Sequence, residues 1–130
     1  MIGRLIKMAA ALGLLIAIGC EVTDSLSSEP NFGDPYTVAT DTASPNVAPR
    51  LDTKGLHVTV QHSGGCRGHR YIVHFRVHGD TTELWLQHNA RGDTCEVLIT
   101  KPLLLGVSLR VLETEHVVLL APDNAVFTLR

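Results

Sequence analysis

From Leu56 onward, apolar and polar residues alternate in short runs with the period of two that marks half-buried β-strands. Leu56, Val58 and Val60 stand on one face of the stretch 55–61, and His57, Thr59 and Gln61 on the other, with His62-Ser63-Gly64-Gly65 read as the break that follows. The stretch 69–78 alternates most clearly, setting Tyr71, Val73, Phe75 and Val77 against Ile72, His74, Arg76 and His78. Gly79-Asp80 turns the chain into 82–88, where Leu84 and Leu86 face inward. Asn89 to Asp93 reads as a loop and 94–100 as a strand. Pro102 is expected to interrupt, so that 103–112 forms a new strand with Leu105, Val107, Leu109 and Val111 on one face. Val117 to Leu120 is continuously apolar and reads as a strand buried on both sides, and a turn at Ala121 to Asn124 leads into 125–129. The pattern predicts an all-β domain over residues 51–130, a small antiparallel β-sandwich of about seven strands, with a small β-barrel as the alternative. Trp85 and Phe127 are expected in its core or between its sheets.

Upstream the pattern vanishes. Residues 20–50 are rich in Ser, Thr, Asp and Pro and have no helical or strand period, so they read as a flexible tether with a reach on the order of 30 Å. Glu21, Asp24, Glu29, Asp34 and Asp41 face the single base Arg50 there, whereas acids and bases balance from Leu51 onward; the net charge of −2 thus hides an acidic tether and a neutral domain. Nothing forms the basic stripe that neutralises phosphates, which excludes nucleic acid as the expected partner.

The first residues carry the parts of an export signal: Arg4 and Lys7, an apolar stretch from Met8 to Ile18, and small residues before a cysteine. The stretch falls well short of the roughly 20 residues a spanning helix needs. Ala17-Ile18-Gly19-Cys20 resembles the lipobox of bacterial lipoproteins, although Ala17 stands where leucine is usual. The resemblance implies that residues 1–19 are a lipoprotein signal peptide and that Cys20 becomes the acylated, palmitate-bearing first residue, anchored to a bacterial membrane outside the cytoplasm. Each buried methylene contributes about 0.8 kcal/mol to such an anchor. Glu21 in place of aspartate implies outer-membrane sorting, with the domain facing the periplasm or the cell surface.

With Cys20 assigned to lipid, Cys66 and Cys95 remain as a pair in a compartment that permits disulfides. Joining them would close a loop of about 30 residues, worth roughly 3 to 4 kcal/mol in the chain-entropy account. The alternative is a zinc site of Cys2His2 type built from Cys66, His69, His88 and Cys95. The disulfide is favoured, because exported pairs oxidise and the spacing from His88 to Cys95 exceeds usual zinc-ligand spacings. Gly64-Gly65-Cys66-x-x-His69 with its later cysteine resembles a group of uncharacterised small bacterial lipoproteins, which implies no particular activity.

Other constellations are weaker. His74, Arg76 and His78, with His57 on a neighbouring strand, could form a pH-responsive or anion-binding face, against the blander reading of a solvated sheet surface. Ser63 and His62 could be completed to a triad by Asp80 or Asp93, but no nucleophile elbow is present. Glu113 and Glu115 read as exposed charges around a turn. The sequence therefore predicts a non-catalytic structural or interaction module of the cell envelope, its partners being the membrane through the lipid and an envelope protein through sheet edge or loops. The alternative is envelope metal binding or sensing of the zinc type.

Overall fold

The computed structural model describes residues 29–40 and 47–130, so the signal segment, Cys20 and much of the tether lie outside the described residues. Eight strands and one short helix follow in order: β1 (Thr37–Val38), β2 (Arg50–Asp52), β3 (Gly55–Gly64), β4 (Arg70–His78), β5 (Thr81–Asn89), β6 (Val97–Leu105), α1 (Leu109–Glu113), β7 (His116–Leu120) and β8 (Val126–Thr128). Among the described residues, no helix is long and apolar enough to cross a membrane.

Two sheets face each other. In the first, β3 is the centre: β6 pairs with its whole length, from Gly64↔Val97 to Leu56↔Leu105, while β1 and β2 share its other side. In the second, the order is β4-β5-β7-β8. The sheets stay separate, so the fold is a sandwich and the barrel alternative does not apply. One pairing departs from the antiparallel expectation: β5 and β7 run parallel. A parallel pair needs a long crossover, and here the chain supplies it by passing through β6 of the opposite sheet and α1.

Period-2 alternation explains the core. Leu56, Val58 and Val60 project inward from β3, and Leu84 and Leu86 from β5, joined by Val117 and Leu119 of β7. All are at most 3% exposed, and each such side chain contributes about 1.5 to 3 kcal/mol by leaving water.

Four boundaries differ from the sequence reading, each for a physical reason. β3 does not break at His62 but runs on to Gly64, because β6 pairs with it throughout. β6 starts at Val97 and continues through Pro102 to Leu105; it is an edge strand, where a missing N–H is tolerated. Residues 109–113 form a helical turn instead of strand, capped by the Ser108 side chain accepting from Arg110 N and burying Val111. Finally, residues Phe32 to Val38, read as tether, belong to the fold. Tyr36 is 5% exposed and donates its hydroxyl to Leu86 O at 2.7 Å, β1 pairs with β3, and Phe32 packs on the core. One aromatic side chain with a buried partner outweighs the polar composition around it.

Candidate metal centre

The inward alternation of the two central strands does not stop at their apolar residues. Continuing Leu56, Val58, Val60 by two positions puts His62 in the core, and continuing Leu84, Leu86 by two puts His88 there. They are 6% and 3% exposed. A third imidazole, His69, enters from the loop before β4 and closes a triangle with them, the His62 and His88 ring centroids being 5.0 Å apart. It stacks on His62 with ring centroids 4.0 Å apart and lies 5.0 Å from the His88 ring, while Tyr71 stacks on His88 at 4.4 Å.

Each imidazole has one nitrogen committed to an oxygen. His62 Nδ1 donates to Ser63 O at 3.0 Å. His88 Nδ1 faces two carbonyls, Asp34 O at 3.1 Å and Pro35 O at 3.2 Å, so it must carry the hydrogen. Those carbonyls are in place because Phe32 to Asp34 runs alongside the end of β5, with His88 N donating to Phe32 O and Asp34 N to His88 O. Gly33, at φ +71°, passes so close to the His88 backbone that no side chain fits. His69 Nε2 donates to Asp93 Oδ2 at 2.8 Å.

Asp93 is held by the same loop that carries His69. Its Oδ2 also accepts from the backbone N–H of Gly65, Cys66 and Arg67 at 3.0 to 3.2 Å, and its Oδ1 accepts from Cys95 N at 3.0 Å. The carboxylate is fully enclosed, and the His69 hydrogen bond first, then the backbone donors, keep its pKa well below the usual carboxylate range. A Cβ on Gly64 would come within 2.6 Å of His69 Nε2, so the strand's last glycine makes room for the pair. The Cys66–Cys95 disulfide closes the loop with Cα atoms 5.8 Å apart.

Three nitrogens are left over: His62 Nε2, His69 Nδ1 and His88 Nε2. Nε2 of His62 is buried without a hydrogen-bond partner, and the other two face each other at 2.8 Å. The three residues' ligand atoms lie within 4.8 Å of one another. Burial first, then the neighbouring His62 and His69, lower the His88 pKa, which favours the neutral, ligating form. An outer hydrogen bond on each imidazole, to carbonyl or carboxylate, is how metal-binding histidines are oriented. A tetrahedral zinc with bonds near 2.05 Å separates its ligand nitrogens by about 3.3 Å, so His69 and His88 need part by only about half an ångström. A pocket of about 330 Å³, with His62, Cys66, Arg67, His69 and Lys101 among its walls, opens beside the cluster.

The residues expected from the sequence are distributed differently. His69 and His88 do meet, but the sulfurs of Cys66 and Cys95 are bonded to each other, so the Cys2His2 set is not assembled and His62 takes part instead. His62 was legible only as the next inward position of its strand. Ser63 projects from the opposite face of β3, exposed, and Asp80 sits in the β4–β5 turn, so neither joins His62. His57 lies in the other sheet from His74, bonded to Asp52 at 2.7 Å. His74 binds Gln87 at 2.8 Å and stacks on Trp85, and Arg76 pairs with Glu83 at 2.8 Å beneath that ring. Trp85 is consequently on the outer sheet face, half-buried, while Phe127 packs against the core. Glu113 and Glu115 are exposed at the end of α1 and before β7. No family model, curated protein or solved structure matches this chain, so the site is read from its own geometry.

Proposed function

We propose that this domain is a metal-binding module of the bacterial cell envelope, holding a zinc-type divalent ion through His62 Nε2, His69 Nδ1 and His88 Nε2, and tethered to the membrane by lipid on Cys20. The observation that carries the reading is the division of nitrogens: on each of the three buried imidazoles one nitrogen is bonded to oxygen, while of the others His69 Nδ1 and His88 Nε2 meet at 2.8 Å, His62 Nε2 is buried without a partner, and the three residues bring ligand atoms within 4.8 Å of one another. Imidazole ligands of this kind suit zinc, copper, iron and nickel. The 2.8 Å approach of His69 Nδ1 and His88 Nε2, two nitrogens whose ring partners carry the hydrogens, marks the place an ion would take.

Equilibrium dialysis of the purified protein against Zn2+, with metal weighed per chain, tests the centre. One ion per chain is expected, lost in His62→Ala, His69→Ala and His88→Ala. Absence of stoichiometric zinc, or zinc indifferent to all three substitutions, sinks the reading. The anchor is tested separately by palmitate labelling: label on the wild-type chain and none on Cys20→Ala is expected, and an unlabelled wild type refutes it.

A second reading, docking of an envelope protein, is favoured by the edge of β4, which among the described residues pairs with β5 alone and where Ile72, Phe75 and Val77 are 44 to 69% exposed. Crosslinks from β4 to another protein in intact envelopes are its test.

A further inference from the structure

Beside the histidines lies a second group of ligand atoms that the oxidised protein leaves unused. The Sγ atoms of Cys66 and Cys95 and a carboxylate oxygen of Asp93 lie within 4.8 Å of one another. The sulfurs come from two loops that are fixed to each other independently of the disulfide: the backbone N–H groups of Gly65, Cys66 and Arg67 all donate to Asp93, and the Arg67 guanidinium donates to Arg91 O at 2.9 Å. Breaking the sulfur bond therefore leaves the two thiols side by side. Asp93 Oδ1 accepts from Cys95 N and has acceptor capacity to spare, while Oδ2 stays on His69. Cys66 is exposed and lines the pocket beside His62, which gives a reductant access.

We propose that reduction of Cys66–Cys95 creates a second metal site, two thiolates and the Asp93 carboxylate, selective for thiophilic cations. This site is distinct from the three-histidine centre and does not depend on it, although Asp93 touches both. Two sulfur ligands shift preference toward softer ions than imidazole alone takes. The redox step balances with a dithiol donor, which passes two electrons and two protons to the disulfide and itself becomes a disulfide. A phosphine does the same in vitro, giving two electrons to the sulfurs and taking its oxygen from one water, whose two protons end on the thiols. When the cation binds, those two protons leave to solvent and two metal–sulfur bonds form.

The test uses Co2+ as probe, because thiolate coordination adds a sulfur-to-metal charge-transfer band that imidazole does not. The full chain is titrated with Co2+ before and after phosphine treatment, with free thiols counted and β-sheet circular dichroism recorded on the same samples. Expected are no such band in the oxidised protein, a band saturating at one Co2+ per chain in the reduced protein, its survival in His62→Ala, and its loss in a Cys66→Ser, Cys95→Ser variant. A fully reduced, folded protein without the band overturns the proposal, as does a band that grows only as the sheet signal is lost. Failure of the three-histidine centre reads out differently, as absence of histidine-bound Co2+ in the oxidised chain.

Discussion

His69 Nε2 meets Asp93 Oδ2 at 2.8 Å in a space where their side chains are 4% and 0% exposed. Asp93 thereby fixes which nitrogen of His69 is left to face His88. Removing its charge while keeping its shape should therefore weaken a metal at the centre without deleting a ligand. For Asp93→Asn the expected result is a zinc dissociation constant raised about 10 to 100-fold, the usual effect of losing such an outer partner. Competition against a chromophoric chelator measures it. An unchanged affinity would mean that Asp93 serves only the loop.

Gly64→Ala separates site from scaffold. The added Cβ would fall 2.6 Å from His69 Nε2 and 2.9 Å from Asp93 Oδ2, both side-chain atoms that can be pushed aside. The chain should stay folded while zinc affinity drops, with thermal melting and dialysis as the paired measurements. A melting midpoint that falls with no change in zinc binding contradicts the placement of this glycine.

Tyr36 tests where the domain begins. Its buried hydroxyl donates to Leu86 O, and burial raises its pKa. Tyr36→Phe leaves that carbonyl unpaired and should cost about 1 to 3 kcal/mol, and Tyr36→Ala about 3 to 5 kcal/mol. Urea midpoints report both. A Tyr36→Ala protein as stable as wild type would return Phe32 to Val38 to the tether.

Stability should also depend on pH through His88. Its folded pKa is depressed, chiefly by burial, whereas the unfolded chain takes up the proton near the ordinary value of about 6.5. The neutral native form is thus fully favoured above about pH 6.5, and its advantage is lost as pH falls toward the lower folded value. Urea unfolding at pH 7.5 and 5.5 should show the loss in wild type and a smaller one in His88→Gln; equal losses in both proteins would exclude His88 as the cause. Asp93, also depressed, acts in the same direction only at more acid pH, below about 4.

Much of the sandwich is legible in the sequence because alternation is local. Leu56, Val58 and Val60 announce one inner face and Leu84 and Leu86 the other, and Cys66 and Cys95, the pair that remains when Cys20 is set aside for lipid, read as bonded. The candidate centre is less legible. His62 and His88 each follow the inward period of their strand, but they look polar, and His62 falls where a break is expected. That they meet depends on two different sheets closing over each other. Tyr36 is a lone aromatic in polar surroundings, and its partner Leu86 lies far along the chain. Pro102 misleads because its cost depends on whether β6 is an edge, a property of the whole sheet. Residues 109–113 make too short a helix to leave a period.

The backbone around Gly33 has a mechanical consequence. Phe32 to Asp34 is hydrogen-bonded to both the N–H and the C=O of His88, and the Asp34 and Pro35 carbonyls hold that residue's ring. Everything N-terminal to Phe32 leads toward Cys20. If the domain hangs from Cys20 as proposed, a pull along the chain from that side would be borne in part by His88, the strand residue that also belongs to the proposed centre, so the rope and the socket would share one fastening.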